Sequence, residues 1–166
     1  MNAAYFIQYL HLQPHPEGGY FKETYRANET IAADALPPRF TGVRHFSTAI
    51  YYLLQQGDFS HFHRIKSDEC WHFYAGNTLL IHVIEKDGKY YSVRLGNNIA
   101  VGETFQFVVP AGAWFAAEPA PDSAFTLAGC TVAPGFDFND FEMADRKALS
   151  NTYPQHSNII NRLTRK

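Results

Sequence analysis

Cysteine is scarce in this chain: Cys70 and Cys130 are the only two, far apart and in no C-x-x-C pair. That spacing excludes a zinc knuckle and a dithiol redox motif, and it predicts two reduced, buried thiols in a cytoplasmic protein. Long apolar runs are missing too. No stretch approaches the ~20 apolar residues that span a bilayer, so no membrane segment is expected. The N-terminus lacks the basic stretch and apolar core of a secretory signal. There is no run of like charge, and the formal net charge is only −2. A nucleic-acid partner is therefore not expected. Internal repeats and low-complexity segments are also absent.

What the chain has in quantity is apolar and aromatic residues, 46% and 16% of 166 residues. One domain spanning residues 1–166 is the simplest organisation. At this size folding buries roughly 70% of the unfolded chain's surface, which is a substantial core.

Residues 3–12 carry Tyr5, Phe6, Tyr9 and Leu10 at helical spacing, and Pro14 and Pro16 end the pattern. His15-Pro16-Glu17-Gly18-Gly19 is a turn, and Tyr20 to Arg26 alternates as a strand. Short strands follow at Phe46–Leu54, His61–Ile65, Glu69–Tyr74, Thr78–Glu85, Tyr90–Leu95, Glu103–Val109, Trp114–Ala117 and Phe125–Val132, and Asp87-Gly88 is a hairpin turn. Many short strands separated by turns predict an all-β sandwich or barrel, with its core at about residues 20–135. A helical tail covers about 139–166. In it, Asn139 or Asp140 caps a helix reaching about Leu149, and Ile159, Ile160 and Leu163 mark another after Pro154.

Thr78–Ile84 and Phe105–Val109 are apolar on both faces. An antiparallel sheet with one wet face should alternate. The terminal helices, a second copy of the chain, or both must cover the excess, and the expectation is a homodimer.

His61-Phe62-His63, then Glu69, then Gly76 is the densest chemical signal. Two histidines two apart on a strand share a face, and Glu69 follows from the next strand. Imidazole and carboxylate suit a divalent metal, or an acid–base pair without one. By parity Trp71 and Phe73 share the Glu69 face, and Cys70 and His72 do not.

Gly57…His61-x-His63…Glu69…Gly76 resembles the first motif of the cupin superfamily, and Gly102…Pro110-Ala111-Gly112 resembles the second. His15–Gly19, Ser67–Gly76, Val109–Trp114 and Gly129–Phe136 together resemble a narrower cupin family of unassigned function, domain of unknown function 985, over about residues 5–145. The resemblance implies a cupin jelly-roll β-barrel with short terminal helices. It departs from the superfamily pattern in two ways. Trp114 stands near the place of the last metal-binding histidine, and an indole N–H cannot ligate. Only three residues separate Gly57 from His61 and five separate His63 from Glu69. No cofactor is therefore expected, and a divalent metal on His61, His63 and Glu69 is the alternative.

The expected catalytic residues are His63 and Glu69, with Glu69 holding the imidazole tautomer. Trp71, Phe73 and Trp114 are an expected aromatic wall, with Trp114 at the rim. Tyr52 and Glu17 complete the ligand-binding set, and Tyr20, Arg26 and Arg44 are weaker rim candidates. For each residue a plain structural role competes: core packing for the aromatics, ion pairs to Arg64 or Lys66 for Glu69, turn amides for Glu17. His82 and Cys130 read as packing residues. The resemblance implies a small polar ligand, carbohydrate- or nucleotide-like, and a metal-independent epimerase- or isomerase-like reaction. The alternatives are a non-catalytic binding protein and a metal-dependent oxygenase or isomerase.

Overall fold

The computed structural model describes residues 1–165. In chain order it holds α1 (Ala3–Tyr9), β1 (Gln13–Pro14), β2 (Tyr20–Arg26), β3 (Thr30–Ile31), β4 (Arg44–His45), β5 (Thr48–Gln55), β6 (Ser60–Arg64) and β7 (Asp68–Gly76). There follow β8 (Leu79–Ile84), β9 (Tyr90–Leu95), β10 (Gln106–Val109), β11 (Trp114–Pro119), β12 (Phe125–Ala133), β13 (Glu142–Met143), α2 (Arg146–Thr152) and α3 (Ser157–Arg162). Two antiparallel sheets face each other, ordered β1-β2-β5-β12-β7-β10 and β13-β6-β11-β8-β9. Neighbours distant in sequence, such as β5 beside β12 and β6 beside β11, make this a jelly roll.

The core lies between the sheets. Tyr52, Leu54, Trp71, Ile81, Val83, Phe115, Ala128 and Cys130 fill it, all nearly inaccessible to water. They come from alternate positions of their strands, as period-two packing requires. The other face of β8 and β11 is apolar as well. Phe62, Ile84, Trp114 and Ala116 there pack against Ala144, Leu149, Ile160 and Leu163 of the C-terminal segment. The apolar excess of Thr78–Ile84 is thus largely covered within the chain. On the far side, α1 covers Leu53, Phe125 and Leu127. Asn2 caps α1, its Oδ1 accepting from Tyr5 N at 3.0 Å.

The tail differs from its expected form. Asp140 does not cap a long helix. Its carboxylate is buried and takes two hydrogen bonds from Arg44, both 2.6 Å. Residues 138–140 form a single 3-10 turn, β13 follows, and Asp145 caps α2 by accepting from Ala148 N at 2.7 Å. A buried bidentate pair outweighs the ~1 kcal/mol that an N-cap contributes. The second tail helix, α3, lies where Ile159 and Ile160 place it.

Candidate functional site

One end of the jelly roll is open. The cavity there is small, about 80 Å³. Its floor carries His15, Glu17, His63, Glu69 and Cys130, and its wall includes Phe21, Ile50, Ile65 and Val132. Phe136, Phe138, Phe141, Glu23 and Arg26 stand around it as well.

Glu17 is placed by backbone. Its carbonyl accepts from His61 N at 2.8 Å, which ties the His15–Gly19 turn to β6. The turn approaches so closely that a Cβ at Gly18 would sit 2.2 Å from Phe59 O, and one at Gly19 2.5 Å from Leu53 O. Both glycines have positive φ, so no other residue type fits here without displacing strands. The paired glycines are what bring Glu17 inside.

His63 is placed by a bulge. Phe115 opposes His63 and Ala117 opposes Ser60, so three steps of β6 face two of β11. The extra residue breaks the period-two rule. Ser60 and His63 share the inner face, and His61 does not line the cavity. The His61 imidazole instead meets Ala144 O at 3.2 Å and the Arg165 N–H at 3.4 Å. Parity alone put His61 beside His63, and the bulge is the reason it is elsewhere.

Hydrogen bonds fix the His63 tautomer. Nδ1 lies 2.7 Å from His61 O, and a carbonyl can only accept, so Nδ1 carries the proton. Nε2 faces Glu17 Oε2 at 3.1 Å. In the neutral ring Nε2 offers only a lone pair. One proton must therefore sit in the contact, either on Glu17 or on a charged His63. Burial pushes Glu17 above the ordinary carboxylate range, opposed by His15. Burial also lowers His63, opposed by the Glu69 charge and by the His61 carbonyl. Both directions favour the uncharged pair, with Glu17 donating to Nε2. The tautomer is thus held by His61 O and Glu17, in place of the expected Glu69.

Glu69 enters from β7 on the same cavity. Burial pushes its carboxyl up to about 7. It lies against the Cys130 thiol, which burial and the Glu69 charge raise well above the usual range. Neither Arg64 nor Lys66 pairs with it; they pair with Glu142 and Asp140. His15 completes the floor, its Nδ1 accepting from Glu17 N at 3.2 Å and standing 3.7 Å from Glu17 Oε1.

The remaining expected residues fall elsewhere. Tyr52 is fully buried beneath Glu17, its hydroxyl donating to Gly18 O at 2.7 Å. Trp71 lies deeper, edge-on to Tyr52 at 5.7 Å, in the core. Phe73 packs half-buried against the core and does not line the cavity. Trp114 is on the opposite face of β11, under the C-terminal helices, with the Arg64 guanidinium 4.5 Å over its ring. Phe115, its neighbour, is the inward residue, 4.1 Å from His63 by ring centroids. Arg26 reaches the cavity, whereas Arg44 serves Asp140. Sequence reasoning did not name His15 as a site residue, nor the ring of Phe136, Phe138 and Phe141. The aromatic clustering after Gly135 was the available signal.

A metal on His61, His63 and Glu69 does not fit this geometry, because His61 is bonded outside the cavity. Among the described residues no group of three or more His, Cys, Asp or Glu is arranged to hold a metal ion. No helix among them is long and apolar enough to cross a membrane.

A family model described as cupin superfamily, domain of unknown function 985, matches residues 4–144. An uncharacterized protein of Saccharomyces cerevisiae is 33% identical, covering 76% of this chain and 67% of its own. A hypothetical protein from Leishmania major superposes with a TM-score of 0.92 at 35% identity over 100% of both chains. A Shewanella oneidensis protein gives 0.87 at 41%, over 99% of this chain and 98% of its own. Oxalate decarboxylase from Bacillus subtilis gives 0.55 at 13% identity, over 90% of this chain and 36% of that one, a likeness of fold alone.

Proposed function

The chain belongs to the cupin superfamily, in the family of domain of unknown function 985, and from that premise we propose that its cavity binds a small polar molecule and moves a proton on it. The single observation that carries this reading is the Glu17–His63 contact at 3.1 Å on the cavity floor, which needs a proton, beside a second carboxyl held near neutrality. A proton donor and a carboxylate base facing one cavity are what enolisation next to a carbonyl requires.

In this reading the ionised Glu69 accepts the proton from a carbon beside a carbonyl. The Glu17–His63 pair donates its proton to the carbonyl oxygen. The C–H bond breaks, an O–H bond forms, and the product is a neutral enol. Glu69 then returns its proton to the former carbonyl carbon of the enediol while the neighbouring hydroxyl gives its proton back to the Glu17–His63 pair, which restores both groups and completes an isomerisation. No metal is required by these steps. The phenylalanine ring at the mouth suits the flat or apolar part of a ligand.

Incubation in deuterium oxide with a panel of hydroxy-carbonyl compounds, read by proton NMR, tests the reading. Deuterium should enter the carbon beside the carbonyl of at least one compound, and His63→Ala and Glu69→Gln should each slow this by about 100-fold or more. Ligands that bind without exchange would instead favour the binding-protein reading.

The homodimer also belongs to this proposal. With β8 covered by the tail, its support moves to the outer face near β7 and β10. Tyr74, Phe105 and Val108 are exposed there at 51%, 51% and 47%. A dimer mass by light scattering across dilution is expected, and a monomer mass throughout would remove this part.

A further inference from the structure

A second concavity adjoins the first. Ile65 and Phe141 line both, so they form the wall between cavity and groove. The groove also presents Arg39, Arg64, Lys66 and Lys86 against only two carboxylates, Asp140 and Glu142. Both carboxylates are committed. Asp140 holds the bidentate Arg44 pair and meets Lys66 at 3.3 Å, and Glu142 pairs with Arg64 at 2.7 Å. Arg39 and Lys86 make no ion pair among the described residues. A local excess of cations thus stands out on a chain whose net charge is −2.

The two free cations are positioned as well as unpaired. Arg39 spends its Nε on Lys66 O at 2.7 Å and stacks 4.8 Å over Phe40, which orients the planar guanidinium. Lys86 crosses the Pro110-Ala111-Gly112 turn. A Cβ at Gly112 would lie 2.7 Å from its Cε and 3.0 Å from its Nζ. The glycine of this turn therefore leaves room for a lysine, and its backbone N–H is anchored on Ile65 O at 2.8 Å.

We propose that this groove is an anion subsite that takes a phosphate-type group. The fork of Arg39 and the point charges of Lys86 and Lys66 match such oxygens. The source is either the phosphorylated tail of the molecule whose head enters the cavity or a free polyphosphate. The first source rests on the cavity reading above; the groove itself does not.

Calorimetric titration with inorganic pyrophosphate, at low and at raised salt, tests it on the full chain. Binding in the millimolar range or tighter is expected, weakening as salt screens the groove. Arg39→Glu and Lys86→Glu should each weaken it by about tenfold, while Glu69→Gln should leave it unchanged. Circular dichroism of the variants checks that they fold; both positions are exposed. Absence of binding at 10 mM (on the order of a weak subsite's limit), or binding that both charge reversals leave intact, overturns the proposal. A parallel titration with sugar phosphates separates the sources. Tighter binding than orthophosphate that Glu69→Gln abolishes identifies a tail, and equal binding identifies a free anion. Failure of deuterium exchange with pyrophosphate still bound would sink the cavity chemistry and leave the groove standing.

Discussion

Glu69 is held where its charge is costly, and that has a consequence for stability. Its carboxyl has an ordinary value of 4.5 and stands at about 7 in the fold. The folded state therefore binds a proton more tightly than the unfolded one. Its stabilising contribution is complete below about pH 4.5 and is lost as pH rises through about 7. That difference corresponds to about 3 kcal/mol. Glu69→Gln should flatten this decline and raise the melting temperature at pH 8 more than at pH 5, measured by calorimetry at both. A larger gain at pH 5 would contradict the burial argument. Glu17, Glu69 and His63 were all legible in the sequence, but their grouping was not. The Pro-Glu-Gly-Gly turn showed a glutamate beside two glycines. Nothing local showed that Gly18 and Gly19 would seat it against strands forty residues away, which is a tertiary contact.

At the scale of elements, β6 and β11 decide which side chains see the cavity. The bulge between Ser60 and His63 removes His61, and the pleat of β11 turns Phe115 in and Trp114 out. Strand positions and turns were readable from alternation and glycine, so the barrel was too. Parity through a bulge was not, because an inserted residue leaves no compositional mark. Trp114 is 9% exposed and packs under the tail, so Trp114→Ala should cost about 3–5 kcal/mol of stability. It should do so without altering ligand binding, as chemical denaturation and a binding assay would read. Weakened binding with unchanged stability would return Trp114 to the rim. The Arg44–Asp140 pair anchors the segment carrying Phe136, Phe138 and Phe141. Asp140→Ala leaves a buried guanidinium unpaired and should destabilise by about 3–5 kcal/mol. Hydrogen exchange should show that loss first in residues 136–142, next to the cavity mouth.

Across the whole molecule, four layers depend on one another. The C-terminal helices cover the sheet that carries His63, and α1 covers the sheet that carries Glu69. Ile160 is fully buried 97 positions after His63 in a shared layer with Phe62, so Ile160→Ala should cost about 2–5 kcal/mol. If 1–166 is one domain, that loss should appear as one cooperative transition. The proposed chemistry depends on the proton between Glu17 and His63. Imidazole nitrogen-15 NMR of His63 across pH, in the wild type and in Glu17→Gln, tests this most directly. An Nδ1–H tautomer is expected throughout, with an Nε2 signal that reports a shared proton in the wild type and a plain acceptor in the variant. A His63 ring that titrates near its ordinary 6.5, and is indifferent to Glu17→Gln, would contradict it.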